Sequence, residues 1–244
     1  MADQLESLRR LFDNLDMWRH LPSYRLEPRA DPFFGLYMRE VVAAHLQVDL
    51  HDVMVPELPL RLGTIGCADG QGDNQSVKVD FALFSQARDK MYLVELKTDQ
   101  ASHRDQQDQY LERAADTNGN AIIEGILALP EPSKQREKYR YLLRELARLG
   151  AISVPDGMMT ASGPELTRMM RDQTRINLSE TTMHVKVGYV QPTLEPRPET
   201  ADFVIDFKEF GHHLPVDTDA VAAMFQSYLE QWTGPAGASQ AVGA

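Results

Sequence analysis

Leu5, Leu8, Phe12, Leu15 and Trp18 fall at helical spacing, and the pattern predicts an amphipathic helix over 4–21 that packs along its apolar stripe. Asp31 followed by Pro32 reads as an N-cap and a first-position proline, opening a second helix over 33–46. That helix is apolar on nearly all sides, which predicts burial. A strand is expected over 58–66. The loop ADGQGDNQS beyond it does not match a calcium loop, because Gln71 stands at a ligand position and the sixth position lacks glycine; it reads as a flexible connection.

Alternation of apolar and polar residues then marks two β-rich runs, 77–84 and 91–97, joined by SQARDK into a hairpin. A polar helix over 104–115 follows, then the apolar run AIIEGILALP, then a helix opened by Ser133 and stopped by Gly150, with Tyr139, Leu142, Leu143, Leu146 and Leu149 along one stripe. Ser162 and Glu165 around Pro164 form a capping box for a helix carrying Arg168, Arg171 and Arg175. Strands are predicted over 184–190 and 202–207, with a proline-rich connection between them, and Asp217 caps a final helix ending near Trp232. Residues 233–244 carry too little large apolar surface to order themselves. With no internal repeat and no interior linker, 1–232 reads as one domain.

Composition narrows the setting. The 244 residues hold 25 Lys and Arg against 36 Asp and Glu, a formal charge of −11, which argues against holding nucleic acid by bulk electrostatics. Cys67 is the only cysteine, so an intrachain disulfide and a cysteine zinc cage are both excluded. The seven histidines show neither H-x-x-x-H nor H-x-H. No apolar run approaches the roughly 18 residues of a membrane helix, and MADQLESLRR lacks a signal-like stretch, so a cytoplasmic protein without a membrane partner is expected. The charge is unevenly spread: the helix from Ser133 to Gly150 sets Lys134, Arg136, Lys138, Arg140, Arg144 and Arg148 against only Glu137 and Glu145. Such a face is either solvated or a phosphate-backbone contact surface, with the Arg168 helix as a second candidate.

The hairpin carries the candidate chemistry. If Phe84 faces Met91, paired positions sum to 175 and Asp80 lies opposite Glu95. Val77, Val79, Phe81, Leu83, Tyr92, Val94 and Leu96 then make one wholly apolar face. The other face combines Lys78, Asp80, Glu95 and Lys97 with Ala82, Phe84, Met91 and Leu93, apolar residues that imply a cover. Opposed carboxylates about 5 Å apart repel by roughly 3 kcal/mol at an effective dielectric near 20. A shared proton or a divalent cation offsets that cost. Mg²⁺ commonly takes one or two carboxylates and leaves room for water and a phosphate, and Lys97, on the same face, can orient a water or stabilise phosphate charge.

VDFALF with Asp80, a spacer, and VELK with Glu95, Leu96 and Lys97 together resemble the PD-(D/E)XK nuclease superfamily. The resemblance implies an α/β fold with a central mixed β-sheet flanked by helices, restriction-endonuclease-like, in which HVKVGYV supplies a further strand. It implies Mg²⁺ or Mn²⁺ held by Asp80, Glu95 and the Leu96 carbonyl, with Lys97 assisting the attacking water. Glu40, in the helix FFGLYMREVVAAHL, would bind or orient a second ion or its water. Gln106 and Tyr110 have the Q-x-x-x-Y spacing of RecB-like exonucleases, so Gln106 would hold a carboxylate or a phosphate and Tyr110 would contact nucleic acid. Arg136, Arg140 and Arg144 would meet the phosphate backbone. One departure is Lys78-Val79 ahead of Asp80, where the family often has proline. The activity implied is metal-dependent cleavage of nucleic acid, DNA before RNA, with a homodimer or a larger complex as the assembly considered. The rival is a non-catalytic binding or regulatory protein that keeps the fold, and a purely structural subunit is a third reading.

Overall fold

The computed structural model describes residues 2–66, 72–99, 105–130, 136–177 and 182–234. In chain order the elements are α1 (Ala2–Trp18), α2 (Glu27–Leu46), β1 (Leu50–Arg61), β2 (Ser76–Ser85), β3 (Lys90–Leu96), α3 (Asp105–Ala115), α4 (Gly119–Ala128), α5 (Arg136–Arg148), β4 (Ile152–Ser153), α6 (Gly163–Arg168), β5 (Arg175–Ile176), β6 (His184–Gln191), β7 (Phe203–Asp206), α7 (Phe207–His212) and α8 (Ala220–Trp232). Five strands form a mixed sheet in the order β1-β2-β3-β6-β7, flanked by helices, and β4 pairs with β5 apart from it. The α/β class with a central mixed sheet is therefore as expected. The chain divides into two compact units interleaved along the sequence, one of residues 1–48, 95–104 and 188–244, the other of 49–94 and 105–187.

An aromatic cluster is the core of the first unit. Phe12, Phe34, Phe207, Phe210, Phe225 and Trp232 are all fully buried, Phe12 stacks on Tyr228 at 5.0 Å, and Phe34 meets Phe225 edge-on at 5.1 Å. Polar bonds fix its rim. Arg19 donates to the carbonyls of Gln231, Trp232 and Gly234, satisfying acceptors that the end of α8 leaves open. The Asp219 carboxylate accepts from Val221 N–H, Ala222 N–H and the Tyr37 hydroxyl. Asp219 is thus the cap of α8, two residues past the expected Asp217. Asp206 caps α7, a helix the sequence pattern did not announce, by accepting from Glu209 N–H.

α2 begins at Glu27, not after Asp31. Pro28 takes the first turn, where a missing N–H costs nothing, and Pro32 lies inside the helix. The expectation of burial all round is also corrected: Phe34, Tyr37, Met38, Val41 and Val42 are buried, but Leu36 is 60 % exposed. α1 matches its predicted span to within a few residues, though only Phe12 and Leu15 of its stripe are deeply buried.

The second unit is built on β1 and β2. They pair antiparallel from Met54↔Leu83 to Arg61↔Ser76, and α4 and α5 pack on β1. β1 starts eight residues before the expected strand because Pro56 and Pro59 mask it; it runs along the sheet edge, where proline is tolerated. α4 forms from the AIIEGILALP run with Asn118 as its cap. α5 buries Leu143, Leu146 and Leu149 as its stripe requires. Ser162 does stand at the N-cap of α6, but its side chain makes no capping bond, and the helix passes into a π-helical turn over Met169–Gln173. Arg175 accordingly lies in β5 and not on a helix. The readings at Cys67, Gln71, Ser133 and Lys134, the 235–244 tail and the Arg136 side chain lie outside the described residues. Among the described residues no helix is long and apolar enough to cross a membrane.

Two outcomes follow from the first unit's packing. A Cβ on Gly188 would run into the Phe203 ring, so Gly188→Ala is expected to cost about 1–3 kcal/mol by overpacking, read as a lower urea midpoint at unchanged slope. Burial and then the hydrogen bond to Asp13 push the Tyr228 hydroxyl up to about 12. Between the ordinary tyrosine range near 10 and that value the folded chain holds a proton the unfolded chain has lost, so stability falls as pH rises through the window. Tyr228→Phe should flatten that alkaline slope while lowering stability at neutral pH by about 1–2 kcal/mol; a slope identical to the parent's would show that this hydroxyl does not set it.

Candidate active site

β3 is buried along both faces: Met91, Leu93 and Glu95 on one side and Tyr92, Val94 and Leu96 on the other have almost no exposure. The second hairpin face is thus covered, as its apolar half required. The predicted register holds over Phe81↔Val94, Ala82↔Leu93, Leu83↔Tyr92 and Phe84↔Met91, each pair summing to 175. In the second unit, Asp80 immediately precedes Phe81 on β2 and is half-buried.

In the first unit, β3 ends on two buried charges. Glu95 is 1 % exposed and Lys97 3 %, and the Lys97 ammonium donates to Glu95 Oε1 at 2.7 Å. Residues i and i+2 of a strand project to the same side, so the E-x-K spacing by itself brings the two groups together. Withdrawing each ion from water costs several kcal/mol, and mutual attraction repays that only in part. A pair of this kind is a poor device for stability. Leu96, the residue between them, is fully buried.

The neighbouring strand adds a residue that the sequence reading missed. His184 N–H donates to Asp89 and Lys97 N–H donates to Val190, so β6 runs parallel to β3 and sets Gln191 beside Lys97. On its other side Gln191 pairs with Asp206 of β7, so Lys97, Gln191 and Asp206 form a row on one face. Gln191 is 2 % exposed, and its amide nitrogen donates to the carbonyls of Thr193 at 2.7 Å and Pro196 at 3.0 Å. Its amide oxygen is buried with no hydrogen-bond partner. The only hint in the sequence is a polar residue closing the apolar strand HVKVGYVQ just before Pro192.

The remaining candidates are placed as follows. Glu40 lies on the exposed side of α2 with its carboxylate 2.6 Å from the Arg39 guanidinium, between the positions that face the core. The expected apolar setting of this glutamate is absent, and the ion pair is what the helix forms. Gln106 and Tyr110 do share a face of α3, where the Gln106 amide donates to the Tyr110 hydroxyl at 2.6 Å. On α5, Arg140 donates to the carbonyls of Met159 and Ala161 and is largely buried. Arg144 is half exposed and paired with Glu145, while Arg148 bridges Glu145 and Asp52. Three cations of the basic face, Arg140, Arg144 and Arg148, are therefore committed to the protein's own acceptors. Among the described residues no group of three or more His, Cys, Asp or Glu side chains is gathered to hold a metal ion.

No family model, no curated protein and no solved structure matches the chain.

Lys97→Met would leave the Glu95 carboxylate buried without its cation and is expected to cost about 3–5 kcal/mol in urea unfolding. The double change Lys97→Met with Glu95→Gln should recover most of that loss, since it removes both charges. A cost for Lys97→Met below about 1 kcal/mol would mean that the pair is solvated.

Proposed function

We propose that the chain is a metal-dependent hydrolase of phosphodiester bonds in nucleic acid, with DNA as the preferred substrate, and that it is a member of the PD-(D/E)XK nucleases. The observation that carries the reading is the buried Glu95–Lys97 pair at the end of a central strand, in the E-x-K spacing.

The donor set fits a hard cation. Asp80, Glu95 and the Leu96 carbonyl offer oxygen only, which suits Mg²⁺ or Mn²⁺, and the amide oxygen of Gln191, on the strand beside Lys97, is a buried acceptor without a hydrogen-bond partner. Such an ion supplies Lewis-acid activation of a water and charge neutralisation on the phosphate. Lys97 contributes a desolvated ammonium that stabilises negative charge on the phosphate as the bond to the incoming oxygen forms; in a dry site that interaction is far stronger than in water. Glu95 holds Lys97 in place and presents its carboxylate to the cation. Glu40, paired with Arg39 at the surface, supports a second ion less well than the apolar setting expected for it would have done. Gln106 and Tyr110, bonded to each other, form a polar ledge on α3 suited to a phosphate or a sugar hydroxyl.

One observation favours a second reading. Arg140 and Arg148 are engaged within the protein, which withdraws both from a phosphate backbone and suits a non-catalytic regulatory protein with the same fold.

The two readings separate in a cleavage assay on a panel of single- and double-stranded DNA and RNA with Mg²⁺ or Mn²⁺. The parent protein should cut DNA, chelation should stop it, and Asp80→Asn, at a half-buried position that tolerates an isostere, should lower the rate at least about 100-fold while unfolding at the parent's midpoint. A parent that cuts nothing, or an Asp80→Asn variant that cuts equally, sinks the hydrolase reading.

A further inference from the structure

The Gln191 amide is held in one orientation. Both of its N–H groups point at carbonyls, Thr193 and Pro196, and a flipped amide would set oxygen against oxygen at both contacts. Its oxygen is therefore fixed on the opposite side, buried and without a partner, which is uncommon for a buried acceptor in a well-packed protein. The missing partner must be a donor.

The row on this face supplies two neighbours. Asp206 on β7 is acceptor-only and already receives Glu209 N–H. Lys97 on β3, one strand spacing of about 4.8 Å away, carries three N–H donors on a flexible stem. In the present arrangement the ammonium turns to Glu95.

We propose that Gln191 is a positioning residue of the site: its amide oxygen is the acceptor that holds the Lys97 ammonium once the Glu95 carboxylate serves a divalent cation. The inference rests on the metal-dependent reading of the site given above. A neutral amide suits this task. A carboxylate there would cancel the ammonium's charge, whereas an amide oxygen aims the ammonium and leaves its charge for the phosphate. The two carbonyls on the far side make the oxygen a rigid target, so Lys97 moves between two fixed acceptors and not into open space.

The test uses the full chain. A double-mutant cycle of Gln191→Met and Lys97→Met is measured by urea unfolding, with and without saturating Mn²⁺, after calorimetry has established that the parent binds Mn²⁺. In Mn²⁺ the factor by which Gln191→Met lowers the folding equilibrium constant should be about tenfold smaller in the Lys97→Met background than in the parent. A residue that only ties down 193–196 would give the same factor in both backgrounds, and that result overturns the inference. Single-turnover cleavage supplies the independent check. At saturating DNA, Gln191→Met should lower the rate about tenfold or more at unchanged KM, and Gln191→Glu, whose carboxylate keeps an acceptor but cancels the ammonium's charge, should not restore it. A Gln191→Met rate within about twofold of the parent's, or a Gln191→Glu rate equal to the parent's, also overturns the inference. A parent that binds no Mn²⁺ in the calorimeter removes the metal-dependent reading itself, an outcome distinct from additivity in a protein that does bind.

Discussion

Two full charges with almost no access to water sit on adjacent same-side positions at the end of β3, and their desolvation sets terms that the surrounding structure must meet. An ion pair recovers its desolvation cost only if its geometry is held, since a loose pair loses attraction without regaining water. Holding it requires a strand that cannot slide. β3 meets that requirement by being buried on both faces and hydrogen-bonded on both sides, antiparallel to β2 and parallel to β6. The parallel side matters in particular, because the bond from Lys97 N–H to Val190 anchors the residue just past the end of the strand, where fraying would otherwise release the ammonium.

The first unit supplies the rigidity behind that anchor. Its helices close on fully buried rings of Phe12, Phe34, Phe207, Phe210, Phe225 and Trp232, and packing at that density transmits any misfit instead of absorbing it. β7 enters the same unit beside β6 at a separation so small that Gly188 is needed to admit the Phe203 ring. The position of Gln191 is thus set from three directions: the ladder to β7, the ladder to β3, and the two carbonyls of the 192–196 turn that fix its amide.

What the sequence disclosed about this arrangement was the part written in local pattern. Alternation and the six-residue connection were enough for the hairpin and its register, because a strand with one wholly apolar face cannot slip by one residue without exposing it. Glu95 and Lys97 were legible for the same reason, as spacing of two on a strand puts them together whatever the rest of the chain does. Features that depend on tertiary context were not legible. Pro56 and Pro59 disguised β1, since their tolerance comes from its place at the sheet edge. Pro28 and Pro32 competed for the start of α2, and only packing decides between them. Gln191 gave little signal because its place beside Lys97 is set by a strand pairing distant in the chain, and Glu40 misled because a helix with mixed apolar residues around it need not bury every side.

The charge of −11 takes its meaning from the same accounting. Basic residues on α5 looked like a reserve of free cations, yet Arg140 serves two backbone carbonyls, Arg148 serves Asp52 and Glu145, and Arg144 lies against Glu145. Exposed pairs of this kind contribute little to stability, but they do lower the potential that a polyanion meets at a distance. Binding energy for a phosphate would then have to come from close contacts, where desolvation amplifies each charge, and not from steering across the surface. A buried ammonium held against its carboxylate is such a contact, and it gains from the very feature that makes it costly to fold. The acidic total and the phosphate-directed role proposed for Lys97 are therefore compatible: the first weakens indiscriminate adsorption, and the second would act only on a group that has already entered the site.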